Sequence, residues 1–314
     1  MSFDSSASNS ELDGSELSIA RGTAGSNREI ELVHAKRCVE LVVTQELWRR
    51  HSQQWECIGS PLRPDAQDLG FVQAEVNALA SENSHMRVLL LGTTQELLNL
   101  HWPSEAWVVA VDSSEAMLRA RGPRLNSSMR ASAVCGDWCN LPLPPRQTDL
   151  ALADGSLAVL SDLSSIVKAL AEVAGSLAQS GRFVVRAFVR PETAESPESV
   201  CDDLLSGRIG SIHAAKWRLA MSLHGTLNEG VELDAVWRTF RRAVPSTESL
   251  ARRLGWSSSA VDTIEAYRGL DARYFFPTLT ELRELFASTF SELRCHVPDH
   301  ELGERCPTLV LVKR

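Results

Sequence analysis

Five short apolar runs recur between residues 86 and 190, and each has the length and composition of a buried β-strand. The runs cover residues 87–92, 107–112, 131–137, 149–154 and 181–188. Stretches with a helical spacing of apolar side chains separate them, most clearly over residues 162–179. Because strands and helices alternate, the pattern predicts an α/β fold with a mostly parallel sheet and helices on both of its faces.

After the fifth predicted strand, helical patterns follow one another without strands between them. They cover residues 198–205, 212–223, 231–244, 246–254 and 258–267. This is more helix than one crossover requires, so residues 191–277 are predicted to form a helical cap inserted over the sheet. One more helix is predicted at 279–290, and the two strands after it, 292–297 and 308–313, must be antiparallel because their connection is short. Residues 278–314 are therefore predicted to complete the sheet with a closing β-hairpin whose last strand is antiparallel.

The residues before the first predicted strand divide into two parts. Residues 1–28 are rich in serine, glycine, alanine and acidic side chains, so they are predicted to be a flexible tail that buries too little apolar surface to order. Residues 29–85 carry helical periodicity, with a turn at 59–64 and a helix at 66–80 that Asp65 precedes as a capping residue. We interpret this second part as an N-terminal helical lid.

Four residues of the predicted lid suggest what it covers. Trp48, His51 and Trp55 lie at positions i, i+3 and i+7 and so share one helix face, and Arg63 follows in a turn that contains two prolines. One hypothesis is that the aromatic face closes on cofactor and substrate while Arg63 pairs with a carboxylate in bidentate fashion. The alternative is that both tryptophans simply pack the helix on the core.

Composition and charge narrow the class of protein. The 314 residues carry a net charge of −8 and are 44% hydrophobic, which suits a globular chain without a basic face for nucleic acid. The seven cysteines are scattered, so neither a secreted disulfide framework nor a metal site is expected. The first residues lack the apolar segment of a signal peptide, and no run of about 18 apolar residues indicates a membrane span. We therefore expect a cytoplasmic protein.

Chemically distinctive residues stand at the carboxyl ends of the predicted strands, where open α/β sheets bind their ligands. Gly92, Thr93 and Thr94 follow the first strand, where a small backbone and helix-start amides can meet a carboxylate. Asp112 ends the second strand and can accept both hydroxyls of a ribose. Ser113 comes next and is expected to cap the following helix.

Two further strand ends carry an acid beside a second distinctive residue. Asp137 could accept a hydrogen bond from an adenine amino group, and Trp138 could stack on the purine. Asp154, followed by Gly155, could hold an ammonium group. Taken singly, each acid could be a helix cap and the tryptophan a packing residue. In this order and spacing, however, the groups describe S-adenosylmethionine (SAM) better than a dinucleotide, and no G-x-G-x-x-G follows a strand.

With these residues in view, positions 86–190 resemble the class I SAM-dependent methyltransferases, and the closing strand pair resembles the reversed last hairpin of that Rossmann-like fold. The resemblance implies SAM as cofactor. By likeness, Gly92 and Thr93 match the SAM loop, Asp112 the ribose-binding acid, and Asp137 with Trp138 the adenine pair, and Asp154 matches the acid after the fourth strand. The chain departs from the family in its loop, which usually carries several glycines but here continues after Gly92 with two threonines, a glutamine and a glutamate.

The residues that would handle the second substrate are less distinctive. His51 in the lid, Arg186 at the end of the fifth strand, and Tyr267 and Tyr274 in the cap are predicted as catalytic-site residues, because tyrosine and arginine make selective polar contacts in apolar pockets. A second group contains His213, Lys216 and Trp217 on one predicted helix. Surface ion pairs and aromatic core packing are the alternative for both groups, and the sequence names no firm general base.

The predicted function is methyl transfer from SAM to a small molecule by in-line displacement in a lidded cleft. Two alternatives stay open. The chain could consume SAM without methylation, as an intramolecular cyclase forming azetidine-2-carboxylate and methylthioadenosine. It could also be a non-catalytic SAM-binding or assembly protein. The sequence predicts no nucleic-acid or membrane partner and leaves the oligomeric state undetermined.

Overall fold

The computed structural model describes residues 45–123 and 130–314. The predicted tail, 1–28, and the first part of the predicted lid, 29–44, lie outside the described residues. None of the helices in the described ranges is both long enough and apolar enough to span a membrane.

Strands and helices alternate through the first half of the described chain. The strands of the main sheet are β1 (Arg87–Leu91), β2 (Trp107–Asp112), β3 (Arg130–Cys135), β4 (Thr148–Asp154), β5 (Leu177–Arg186), β8 (Phe290–His296) and β9 (Thr308–Lys313), and two short strands of the cap are β6 (Val231–Glu232) and β7 (Arg273–Tyr274). The helices up to β5 are α1 (described over 45–54), α2 (Ala66–Glu82), α3 (Gln95–Leu98), α4 (Glu115–Arg121) and α5 (Leu163–Ser176). Those after it are α6 (Pro197–Leu205), α7 (Ile212–Ser222), α8 (Leu233–Ala243), α9 (Thr247–Leu254), α10 (Ser258–Val261) and α11 (Leu279–Ala287).

The main sheet has seven strands in the order β3-β2-β1-β4-β5-β9-β8. The first five pair in parallel, and β9 runs antiparallel to both β5 and β8. Because the strand order reverses between β1 and β4, the carboxyl ends of these two strands flank the crevice in which such sheets bind ligands. The predicted fold class, a mostly parallel α/β sheet with an antiparallel last strand, is confirmed.

Side chains of the central strands alternate between the two faces of the sheet. In β1, Leu89 and Leu91 belong to the apolar cluster that contains α5 and α11, whereas Val88 and Leu90 belong to the cluster that contains α2. All four are at most 2% exposed. Burial on both faces explains why the strand reads as a continuous apolar run in the sequence.

The third apolar cluster lies in the cap and takes in residues of α6 to α9, together with Leu47 of α1 and Leu302 near β9. The predicted helix 231–244 begins two residues later than expected, because Val231 and Glu232 pair with β7. The predicted helix 258–267 is a short α10 followed by a 3₁₀ segment, Asp262–Tyr267. The β6–β7 pair joins segments about forty residues apart, so local periodicity could not reveal it.

The boundary between α5 and β5 also differs from the prediction. The helix ends at Ser176 and the strand starts at Leu177, whereas the sequence pattern suggests a helix to residue 179. The pairing of β4 with β5 shifts register between Thr148 and Leu150. At Gly181 a Cβ would lie 2.7 Å from the carbonyl oxygen of Thr148, so this close backbone approach requires glycine.

Candidate functional site

Three of the predicted cofactor residues meet at the carboxyl ends of β1 and β2. Gly92 has a φ of +105°, a conformation that glycine adopts at little cost. A Cβ at this position would lie 3.8 Å from Cζ2 of Trp138 and 3.9 Å from Oδ2 of Asp112. The bare backbone of Gly92 therefore lies between a carboxylate and an indole ring, which leaves room for a ligand to approach both.

Asp112 is almost completely buried, at 9% exposure. Its Oδ1 accepts the backbone N–H of Ser114 at 2.8 Å, which leaves Oδ2 on the side of Gly92. Burial raises the pKa of Asp112 to about 6, although the hydrogen bond from Ser114 opposes this shift. A desolvated carboxylate of this kind gains from ligand hydroxyl donors, as the predicted ribose contact requires.

The cap of α4 corrects one sequence prediction. Ser114, and not Ser113, is the capping residue, and its hydroxyl accepts the N–H of Met117. Ser113 is exposed, and its carbonyl accepts a hydrogen bond from Nε2 of Gln45 in α1 at 2.8 Å. The shift by one residue arises because the Asp112 side chain folds back onto the N–H two positions ahead, which places Ser114 at the helix start.

Trp138 is fixed in orientation beside Gly92. Its indole N–H donates to the carbonyl of Val111 at 2.6 Å, so the ring presents no unsatisfied polar atom to a stacked base. Asp137 lies in the exposed turn after β3, where Oδ1 accepts the N–H of Cys139 at 2.9 Å. An adenine contact for Asp137 stays a prediction.

The loops after β1 and β4 are joined by side-chain contacts. The Thr94 hydroxyl donates to Oδ2 of Asp154 at 3.3 Å. The Thr93 hydroxyl is buried and has no hydrogen-bond partner within the described residues, so a bound ligand could satisfy it. Gly155 has a φ of +65°, and a Cβ there would lie 2.3 Å from the Phe188 ring, so a side chain at this position would collide with the aromatic wall.

Arg186 requires a correction, because its Nε and Nη1 atoms are already paired with other groups of the chain. It is 3% exposed, and its Nε donates to Oδ1 of Asp154 at 2.6 Å. Its Nη1 donates to the carbonyl of Pro61 at 2.9 Å and lies 3.6 Å from Oδ2 of Asp68 in α2. The guanidinium therefore binds β4, β5, α2 and the N-terminal turn together. It also pairs with Asp154, the acid that the sequence predicts to hold an ammonium group.

Arg63 also has partners other than the predicted cofactor carboxylate. Its guanidinium forms an ion pair with Glu96 at the start of α3, and Nη1 donates to the carbonyls of Trp55 and Ile58 at 3.3 and 3.2 Å. It also lies 5.4 Å from the centroid of the Trp55 ring. Arg63 therefore anchors the N-terminal segment to the loop after β1.

The N-terminal segment contacts the cap as well as the strand ends. Arg50 donates through Nη1 to the carbonyls of Ala266 and Arg268, at 3.2 and 2.8 Å. A Cβ at Gly59 would lie 3.6 Å from the His213 ring of α7. Residues 45–63 thus bridge the loops at the carboxyl ends of β1, β2 and β5 and the helices of the cap.

Three of the predicted catalytic residues lie together: one belongs to this segment and two to the cap. His51, Tyr267 and Tyr274 are each at most 4% exposed, and the Tyr274 hydroxyl lies 3.5 Å from Nε2 of His51. Lys216, which is fully buried, places Nζ 5.5 Å from the Tyr267 ring and donates to the Thr263 hydroxyl at 2.9 Å. We call His51, Lys216, Tyr267 and Tyr274 the buried polar cluster.

Burial dominates the protonation of this cluster. It lowers the pKa of His51 to about 3, with a further contribution from the Lys216 charge, and lowers that of Lys216 to about 7. It raises the pKa values of Tyr267 and Tyr274 above their ordinary value. At neutral pH the imidazole is neutral, both phenols are protonated, and the amine of Lys216 is close to its midpoint.

The sequence marks Lys216 as a distinctive residue but does not place it in the predicted catalytic site. The available signal was its place in α7, whose residues 212–221 are buried at every position except Arg218. A lysine in a helix that is apolar on nearly all sides must place its charge in the interior. What surrounds that charge depends on α1, the 3₁₀ segment and β7, which are distant in sequence.

The geometry can be set beside known proteins. A family model described as a methyltransferase domain matches residues 90–181, and no curated protein matches the chain. A solved structure described as a putative Zn-dependent alcohol dehydrogenase from Rhodobacter sphaeroides is similar in fold, with a TM-score of 0.54 and 14% identity over 87% of this chain and 99% of that chain.

Two further likenesses are to complexes with S-adenosylhomocysteine (SAH). The N-methyltransferase NodS from Bradyrhizobium japonicum has a TM-score of 0.46 and 11% identity over 85% of this chain and 98% of its own. The DhpI–SAH complex has a TM-score of 0.48 and 16% identity over 87% of this chain and 96% of its own.

The strand order and the matched domain define a class I, Rossmann-like fold. Over residues 90–181 this chain matches a methyltransferase domain, and its core has the fold of that class. The residues present fit SAM in two respects. The bare backbone of Gly92 lies between Asp112 and Trp138, and the buried Thr93 hydroxyl has no hydrogen-bond partner among the described residues.

We predict that SAH affinity depends on pH through Asp112. Its carboxylate is ionised above its pKa of about 6 and protonated below it, and a protonated carboxyl accepts ligand hydroxyls less well. Affinity measured by calorimetry should be constant above about pH 7 and fall as the pH drops through 6. Asp112→Asn should bind roughly 30- to 150-fold more weakly, a loss of about 2–3 kcal/mol, with a flatter pH profile. Wild-type affinity in a folded Asp112→Asn variant would remove Asp112 from the site.

We predict that Arg186→Met destabilises the fold by about 3–5 kcal/mol in urea unfolding, because it leaves Asp154 and Asp68 buried without their counter-charge. The matched control is Arg252→Met, which removes an exposed ion pair with Glu248 and should change stability by less than about 1 kcal/mol. Equal effects of the two substitutions would show that Arg186 does not organise the strand ends.

Proposed function

We propose that this chain is a SAM-dependent methyltransferase that acts on a small-molecule acceptor, which binds between the carboxyl edge of the sheet and the cap. The observation that carries the proposal is the buried polar cluster. Its polar side chains face the interior beneath α1, where a macromolecular substrate could not reach them. Buried polar groups that converge in an otherwise apolar region are typical of small-molecule sites.

A chain of contacts joins the cluster to the cofactor edge. The Phe188 ring lies 5.1 Å from the Arg186 guanidinium and 5.0 Å from the Trp217 ring, and Trp217 lies 5.4 Å from Tyr274. The backbone N–H of Phe275, beside Tyr274, donates to Ala158 in the loop after β4 at 2.9 Å. This continuity supports an acceptor site that adjoins the cofactor.

SAM supplies an electrophilic methyl group on a sulfonium. In the proposed mechanism Asp112 accepts the ribose hydroxyls and the face of Trp138 supports the adenine. The cap and α1 exclude water while the acceptor is held in line with the methyl group. Lys216 is the group in the cluster whose protonation changes near neutral pH, and it is therefore the candidate to receive a proton from an acidic acceptor.

We further propose that residues 45–63 act as a lid. Both substrates must pass this segment, since it bridges the loops after β1 and β2 and contacts the cap. Two arginines, Arg50 and Arg63, anchor it by polar contacts, and Leu47, His51 and Ile58 are buried, so opening of the lid must break contacts of both kinds.

The products formed from SAM test the proposed reaction. With SAM alone, purified protein should release neither SAH nor methylthioadenosine above the uncatalysed rate, whereas adding the acceptor should release SAH. Methylthioadenosine from SAM alone would instead support intramolecular cyclisation. SAH binding without turnover against a broad panel of small-molecule acceptors would support a non-catalytic role. Product analysis by mass spectrometry separates the three outcomes.

We predict that SAH slows amide hydrogen exchange over residues 45–63, because a lid that closes on the cofactor opens less often when the cofactor is bound. In Arg63→Met this protection should be reduced while exchange in α5 stays unchanged. Arg49→Met is the matched control, since Arg49 pairs only with its exposed helix neighbour Glu46. Exchange over 45–63 that does not respond to SAH would make the segment a fixed scaffold.

A further inference from the structure

Lys216 is a buried cation without a carboxylate partner. It is fully buried, and within residues 45–123 and 130–314 it takes part in no ion pair. Its one hydrogen bond goes to Thr263, whose hydroxyl donates in turn to the carbonyl of Ala260 at 2.6 Å. An ammonium group carries three donors, so most of its hydrogen-bonding capacity is unused.

Burial of the Lys216 charge is costly and contributes little to the stability of the fold. Thr263 already has a partner in Ala260, and an apolar side chain of similar length could fill the position of Lys216 without desolvating a charge. A charge held in the interior without a structural partner is a candidate for ligand recognition.

The groups near Lys216 are neutral donors and acceptors apart from one guanidinium. His51 and the charged Arg50 come from α1, His213 from α7 itself, Tyr267 from the 3₁₀ segment and Tyr274 from β7. Arg50 points to the carbonyls of Ala266 and Arg268, and burial holds the pKa values of both imidazoles at about 3. The Tyr267 hydroxyl and Nδ1 of His51 have no hydrogen-bond partner among the described residues.

We propose that the buried polar cluster is an anion subsite for the acceptor. The acceptor carries an acidic oxygen, as a carboxylate or a phenolate, which pairs with the Lys216 ammonium and accepts hydrogen bonds from Tyr267 and Tyr274. The proposal rests on the proposed function, since it specifies the acceptor of that reaction. A cation with phenol donors and no competing carboxylate selects an anion and disfavours an amine.

The body of the acceptor is apolar and planar. Trp217, Phe276 and Tyr274 contact one another edge to face, with ring centroids 5.2 to 6.1 Å apart. Trp48 lies 5.6 Å from His51 on the side of α1. The first three of these rings are buried and pack on one another, so a ligand that enters beside the charged contact replaces ring–ring contacts, and a flat, weakly polar body does so with the least loss. The expected acceptor class is therefore a small aromatic or unsaturated organic acid or phenol.

The test uses the full chain saturated with SAH and two probes, benzoate and 4-nitrophenol. Benzoate is compared with benzamide, which has the same shape without the charge, and 4-nitrophenol reports by colour whether it binds as the anion. Calorimetry should show benzoate binding at least about tenfold more tightly than benzamide. Bound 4-nitrophenol should be in its anionic form at a pH at which it is mostly neutral in water.

The variants are Lys216→Met and the control Lys168→Met, which changes an exposed lysine of α5. Lys216→Met should abolish the preference for benzoate and leave SAH affinity unchanged, and the control should retain both. Lys216→Met should also melt at a higher temperature than wild type, because it removes a buried charge. Failure of the wild-type protein to bind SAH would contradict the proposed function. SAH binding without a preference for benzoate over benzamide would contradict only the anion subsite.

A measurement on the wild type covers the case in which Lys216→Met does not fold. Because an anion stabilises the charged amine, benzoate binding at pH 8 should take up a proton, and calorimetry in two buffers with different heats of ionisation detects that uptake. No binding of either acid, binding without proton uptake, or equal binding of benzamide would overturn the proposal.

Discussion

The carboxyl edge of the sheet depends on one buried guanidinium. Arg186 has two carboxylates within ion-pairing distance, Asp154 from β4 and Asp68 from α2, and both are at least nine-tenths buried. Such a group in a dry interior stabilises the fold only when it is complete, because removing any partner leaves an uncompensated charge. His300 Nε2 lies 3.4 Å from the same Asp68 oxygen, Oδ2, and adds a polar neighbour to the network. Two strands, one helix and the Pro61 turn are thereby held to a common geometry.

This network also links the two halves of the proposed site. On the cofactor side, Asp154 accepts the hydroxyl of Thr94, in the loop that begins at Gly92. On the acceptor side, Arg186 faces the Phe188 ring, which contacts the cap through Trp217. A residue predicted to be catalytic is thus better understood as a positioning residue, since it acts through the groups it aligns. The same holds for Arg63, which fixes the N-terminal segment to α3.

The sheet could be predicted from the sequence because a buried strand is marked by consecutive apolar residues. Runs of apolar residues mark β1 and β2 to within one residue of their observed boundaries, and the order of strand ends predicts that Gly92, Asp112 and Trp138 lie at one edge of the sheet. The partners of charged side chains could not be predicted in this way. Arg63 meets a glutamate 33 positions away and Arg186 an aspartate 32 positions away, and nothing in local periodicity distinguishes these acids from their neighbours. Lys216 was visible as an unusual residue in an apolar helix, but its environment comes from three other segments.

Binding of SAM at this edge of the sheet is tested most directly by calorimetric titration of the full chain. The fold of this core is shared with dinucleotide-binding proteins, so SAH and NAD should be titrated under identical conditions. We expect one SAH to bind per chain and to be displaced by SAM, and we expect no measurable binding of NAD. Binding of NAD with no response to SAH or SAM would contradict this expectation.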